Sequence, residues 1–123
     1  MKVKQRTFRI EDNIYGVIIY VIIGDDRYFQ KWMTRNKDNG EIRKDFYAEA
    51  GKLIMSDGST KYYIRLRDFQ NTNYHFGVVA HELLHIAFYI MEAIGFQFSY
   101  DNTEPVNYYF ESLIREFYKK IIK

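Results

Sequence analysis

Two histidines four residues apart, with a glutamate directly after the first, stand in the segment Val79-Ala80-His81-Glu82-Leu83-Leu84-His85. On a helix this spacing puts both imidazoles on one face, one turn above the other. His81 and His85 can therefore converge on one metal ion. Glu82 lies about 100° further round the helix, where its carboxylate can reach a water beside that ion. The chemistry served is metal-assisted hydrolysis: two neutral imidazoles hold zinc, the zinc acidifies a water, and the glutamate takes the proton. The bare motif also arises by chance, and a helical histidine is more often capped or packed than ligating. The metal reading therefore needs a convincing helix around the motif and a third ligand.

The third ligand is sought downstream. The chain has no cysteine, so thiolate sites, disulfides and cysteine nucleophiles are excluded, and any zinc is held by His and carboxylate. Zinc with two His needs one more protein ligand and an open position for water. Glu104 comes after a glycine stop, Gly95, and a short connector. In the first turn of a following helix its ionised form is favoured by the helix dipole. Two helices joined this way can pack side by side and bring Glu104 to the metal. Glu111 is a rival on the same helical face, and Asp101 a weaker one. A first-turn glutamate alone would more simply be a dipole partner; the upstream motif reverses that preference. Tyr108, one turn after Glu104, is placed either to donate to a developing oxyanion or to order Glu104. His75 points elsewhere on its helix and reads as structural or exposed. Glu92 shares the histidine face but lies about 10 Å along the axis from His85, too far to join it.

The elements that must position these groups follow from periodicity. Residues 3–10 alternate loosely and read as a strand. Residues 14–23 (IYGVIIYVII) are β-branched and aromatic and make the best strand in the chain. The two form an antiparallel hairpin across the turn Glu11-Asp12-Asn13. Gly24-Asp25-Asp26 ends the second strand, with an Asp to cap an amphipathic helix over 26–35. Residues 36–44 read as a polar loop. Two strands, 47–55 and 61–66, flank Ser56-Asp57-Gly58-Ser59, a hairpin signal. The second, Tyr62-Tyr63-Ile64-Arg65-Leu66-Arg67, alternates basic with apolar. It reads as an edge strand whose arginines face solvent, or alternatively a groove where an extended peptide can add. A helix over about 74–94 has a core stripe of Val79, Leu83, Ile86, Ile90 and Ile94 opposite His81 and His85. Asp101-Asn102-Thr103 offers caps for a last helix that starts near Glu104. Pro105 is tolerated only in its first turn, and its core stripe is Val106, Tyr109, Leu113, Phe117 and Ile121.

Composition sets the outer bounds. The 123 residues suit one domain, 1–123, and 47% hydrophobic with 19% aromatic content supplies a core. A net charge of +2 is too balanced to argue for nucleic acid. The apolar run at 14–23 is too short to span a bilayer as a helix and no export signal precedes it, so a cytoplasmic protein without membrane contact is expected. The basic tail at 115–123 complements a helix dipole.

These residues resemble a family. His-Glu-x-x-His on one helix with a glutamate on the next is similar to the gluzincin metallopeptidases, and the small size looks like the single-domain minigluzincins. A nearer resemblance is to small bacteriophage- and prophage-encoded proteins. Its carriers are His81-Glu82-Leu83-Leu84-His85-Ile86-Ala87-Phe88, then Gly95, then Asn102-Thr103-Glu104-Pro105-Val106-Asn107-Tyr108. The likeness covers roughly residues 60–118, and Asn107 stands where alanine is expected. It implies an α+β, zincin-like fold in which a small antiparallel or mixed sheet of about four strands packs on the motif helix and a C-terminal glutamate helix. It implies His81, His85 and Glu104 as ligands of one Zn2+ per chain, with Glu82 as base. The implied function is a zinc metallopeptidase acting on a peptide or protein, of phage or host. The competing reading is a non-catalytic metal-binding module with a structural or host-interaction role.

Overall fold

The computed structural model describes residues 4–36, 40, 42 and 47–122. The chain forms seven elements: strands β1 (Arg6–Glu11) and β2 (Ile18–Ile23), helix α1 (Asp26–Arg35), strands β3 (Ala48–Ile54) and β4 (Thr60–Leu66), then helices α2 (Asn73–Ala93) and α3 (Glu104–Ile121). The architecture is α+β. The four strands make one mixed sheet in the order β1-β2-β4-β3, antiparallel except where β2 meets β4.

The period-2 alternation of the strands divides the molecule into three layers. On one face Ile19, Val21 and Ile23 of β2 and Tyr62, Ile64 and Leu66 of β4 form the main core with Leu83 and Ile86 of α2 and Leu113 and Phe117 of α3. On the other face Ile22 and Tyr63 meet Phe29, Trp32 and Met33 of α1. Asp25 caps α1 by accepting from the Tyr28 amide at 2.8 Å.

The two expected hairpins form, and Gly58 takes the left-handed conformation the Asp-Gly turn needs (φ 88°). The chain passes through α1 between β2 and β3, and β4 then inserts beside β2. This overturns the edge reading of residues 62–67. β4 has a partner on both sides, and the face that carries its arginines lies under α1. Arg65 is buried there, paired with Asp26 at 3.1 Å and Glu49 at 3.5 Å and seated over the Phe29 ring; Arg67 reaches Asp26 at 2.7 Å. The basic residues alternate because Asp26, Glu49 and the Phe29 ring receive them on this face. The open edge beside α2 belongs to β3. Of the loop read over 36–44, all but Asn36, Gly40 and Ile42 lies outside the described residues.

Asp12, in the turn between β1 and β2, is 1% exposed. Its carboxylate accepts from the amides of Ile14 (2.9 Å), Gly16 (3.1 Å) and Val17 (3.0 Å) and from the Tyr109 hydroxyl at 2.8 Å. It ties the β1–β2 turn to α3. At the other end of α3, Arg6 donates to the Lys120 carbonyl at 2.9 Å, satisfying a helix terminus. Of the expected caps of α3, Thr103 occupies the N-cap without a side-chain bond. Asn102 instead closes the preceding loop, accepting from the Ser99 amide at 2.8 Å. α2 is long and apolar enough to cross a bilayer by length and composition, yet its apolar stripe lies against the sheet and α3.

Candidate metal centre

Thr72 starts α2 by accepting from the His75 amide at 3.2 Å. Gly95 follows its C-terminus in the left-handed conformation (φ 86°). Between these ends Val79, Leu83, Ile86 and Ile90 are buried as expected, while Ile94, at the C-cap, is half exposed. The helix is thereby fixed in rotation, and His81 and His85 face outward.

Their Nε2 atoms stand 3.2 Å apart, with ring planes at 79°. Two nitrogens bound tetrahedrally at about 2.0–2.1 Å from one zinc would stand about 3.3 Å apart. The pair therefore already has the bite of a single ion. Glu82 is 5% exposed, and its Oε1 lies 4.0 Å from His81 Nε2. Its Oε2 is buried with no hydrogen-bond partner among the described residues. Donor atoms of His81, Glu82 and His85 all fall within 4.8 Å of one another. Burial raises the Glu82 carboxyl above its ordinary value; His81 and His85 pull it down, and Glu49 adds to the rise.

The site opens into a cleft of about 840 Å³ between α2 and β3, walled by Tyr47, Ala48 and Ala50 on one side and Tyr74, Gly77 and Tyr89 on the other. The Tyr47 ring lies 5.3 Å from that of His75, and the Lys52 ammonium lies 5.3 Å from the Tyr89 ring. β3 and α2 thus run side by side in the same direction. The ladder gives β3 its polarity. Tyr47 accepts from the Arg67 amide and Met55 donates to Ser59, so odd-numbered residues bond to β4. Ala48 and Ala50 therefore aim their N–H and C=O groups outward. Among the described residues no strand pairs with that side.

The structure gathers three of the four residues expected at the metal and does not bring Glu104 to them. Glu104 is exposed, and its Oε1 accepts from Asn107 Nδ2 at 3.5 Å. The reason is the side on which α3 packs. It lies along the flank of α2 bearing Val79, Ala80, Leu84 and Phe88, while the histidines turn toward β3. With Val106, Tyr109, Leu113 and Phe117 inward, Glu104 falls on the far side of α3. Glu111 pairs with Arg115, and Tyr108 and Asp101 are exposed; none of them joins the cluster. His75 is structural, accepting from the Gln70 amide at 2.6 Å and packed among rings. The wall that β3 supplies has no signal in the sequence, because edge position is a property of sheet order, which a hairpin motif alone does not carry.

No protein-family model matches the chain, and no curated protein or solved structure is significantly similar to it. Its class is therefore set by its own architecture: an α+β domain whose longest helix presents a His-Glu-His cluster able to hold a metal ion.

Proposed function

We propose that this protein is a zinc-dependent metallopeptidase of zincin-like arrangement, with His81 and His85 holding one zinc per chain and Glu82 as general base. The observation that carries the reading is the 3.2 Å convergence of the two Nε2 atoms beside a buried, half-unsatisfied carboxylate. Zinc, when bound, supplies the Lewis acid that polarises a carbonyl and acidifies water. The chain's own residues supply the rest. Glu82 is held by burial with its proton affinity raised, which suits a base that must take a proton from water and pass it to a leaving amine. The outward N–H and C=O groups of Ala48 and Ala50 can pair with an extended peptide as an added strand. That role belongs to the edge strand β3 and not to β4, which lies inside the sheet.

A second reading is favoured by one observation: among the described residues Glu82 is the only carboxylate in the cluster. If Glu82 ligates, no base remains, and the site is a metal-holding module without hydrolysis. Elemental analysis beside a peptide-hydrolysis assay separates the two. About one zinc is expected in the wild type, none in His81→Ala, and an unchanged content in Glu104→Ala. Glu82→Gln should keep its zinc while hydrolysis falls by about 10²–10⁴-fold. Loss of zinc in Glu82→Gln would favour the second reading, and a wild type that takes up no zinc would end both.

A further inference from the structure

Gly77 sits one helical turn before His81, on the same outward face of α2, and lines the cleft. Glycine weakens a helix interior relative to alanine, so its presence there asks for a reason. The fold gives none. Gly77 has ordinary helical geometry. A Cβ built on it meets nothing within 4 Å among the described residues. Neither β3 nor α3 approaches closely enough to require a bare backbone. Gly77 is exposed and borders the cleft, where Ala48 is also small, as well as the groove between α2 and α3.

We infer that Gly77 is a specificity-determining residue, leaving room for one bulky apolar side chain of an extended peptide. This inference rests on the peptidase reading above. Three features define the subsite. Its floor is Gly77. Its outer wall is Tyr74, which is 70% exposed and whose ring packs 6.2 Å from that of Tyr47. Tyr47 is itself fixed, donating to the Asp68 carbonyl at 2.9 Å. An exposed tyrosine held by a second tyrosine over an empty floor makes an apolar, aromatic slot.

Spacing ties this slot to the chemistry. Gly77 lies four residues from His81, about 6 Å along the helix axis. Side chains on one face of an extended strand repeat every two residues, about 6.7 Å. Because β3 and α2 run side by side, a peptide paired to Ala48 and Ala50 follows α2. When its scissile carbonyl lies at the histidines, a side chain two residues away lies over Gly77. A larger residue at position 77 would fill that place.

The test uses the zinc-loaded full chain and internally quenched alanine heptapeptides in which a single Phe is moved along the sequence, with the all-alanine peptide as reference. The wild type should cleave the Phe peptides at a fixed offset from the Phe, about 10–100-fold better in kcat/KM than the reference. Gly77→Leu should abolish that preference while still cleaving the reference peptide. Gly77→Ala is the milder variant. It should raise Tm by about 3 °C through helix propensity and lower the Phe preference severalfold, mainly through KM. A higher Tm with an unchanged Phe preference in both variants would overturn the role of Gly77 and leave the peptidase intact. Failure of the zinc-loaded wild type to cleave any of these peptides would overturn the peptidase reading and the subsite with it.

Discussion

At the scale of single residues, Asp12 and Tyr109 join the first hairpin to the last helix through one buried 2.8 Å bond. Asp12→Ala would strand several turn amides and the tyrosine hydroxyl, and it should cost about 2–4 kcal/mol in urea denaturation. A loss under about 0.5 kcal/mol would show that water replaces the carboxylate. Tyr47 adds a pH dependence. Burial first, then Asp68 and Tyr74, push its hydroxyl up to about 12. A raised pKa means the folded chain holds this proton more tightly than the unfolded one. Its contribution is therefore complete below about pH 10 and is lost as pH rises toward about 12. Tyr47→Phe should lose less stability than the wild type between about pH 9 and about pH 11.5. Tyr109, also raised, contributes equally to both proteins, so identical slopes would remove Tyr47 from the account. The residues of the candidate centre were legible at this scale, since four-residue spacing on a helix suffices to pair His81 with His85. Asp12 was not, because its partners are amides brought round by a turn and a hydroxyl from the other end of the chain.

Elements were the most legible level. The amphipathic run at 26–35 became α1, the β-branched run ended as β2, and Asp57-Gly58 joined β3 to β4. Each follows from neighbours in sequence: side-chain periodicity, caps and a turn residue with free φ. Helix α2 carries the chemistry, so its N-terminus bears on the site. Thr72→Ala removes the capping oxygen and should cost about 1 kcal/mol. Hydrogen exchange should quicken most in the first turn, around His75 and Phe76, before it does at His81. Uniform quickening along α2 would mean that the cap holds the whole helix. Boundaries and faces were less legible than the elements themselves. Ile94, expected in the core, is half exposed because the helix ends there, and Thr103 caps nothing with its side chain because its backbone is already helical rather than extended.

For the whole molecule, the rotation of α2 is set by Leu83, fully buried between the two histidines in sequence but opposite them in space. Leu83→Ala should cost about 2–5 kcal/mol. Because the same helix holds the pair, zinc affinity should fall with stability; an unchanged affinity would show the metal face to be independent of the core. The sequence by itself determined the α+β composition, the extent of six of the seven elements to within a few residues, and the convergence of His81, Glu82 and His85. These depend on spacing along one chain segment, where the backbone fixes geometry at short range. Only the tertiary structure decided which strand borders the cleft and where Glu104 points. β4 takes the sheet's interior because the crossover through α1 lays it parallel to β2, and β3 is left as the edge. Helix α3 packs on the flank of α2 away from the histidines, which turns Glu104 outward. Both outcomes turn on which surfaces pack together across long sequence separations, and periodicity within an element says which face is apolar without saying what will cover it.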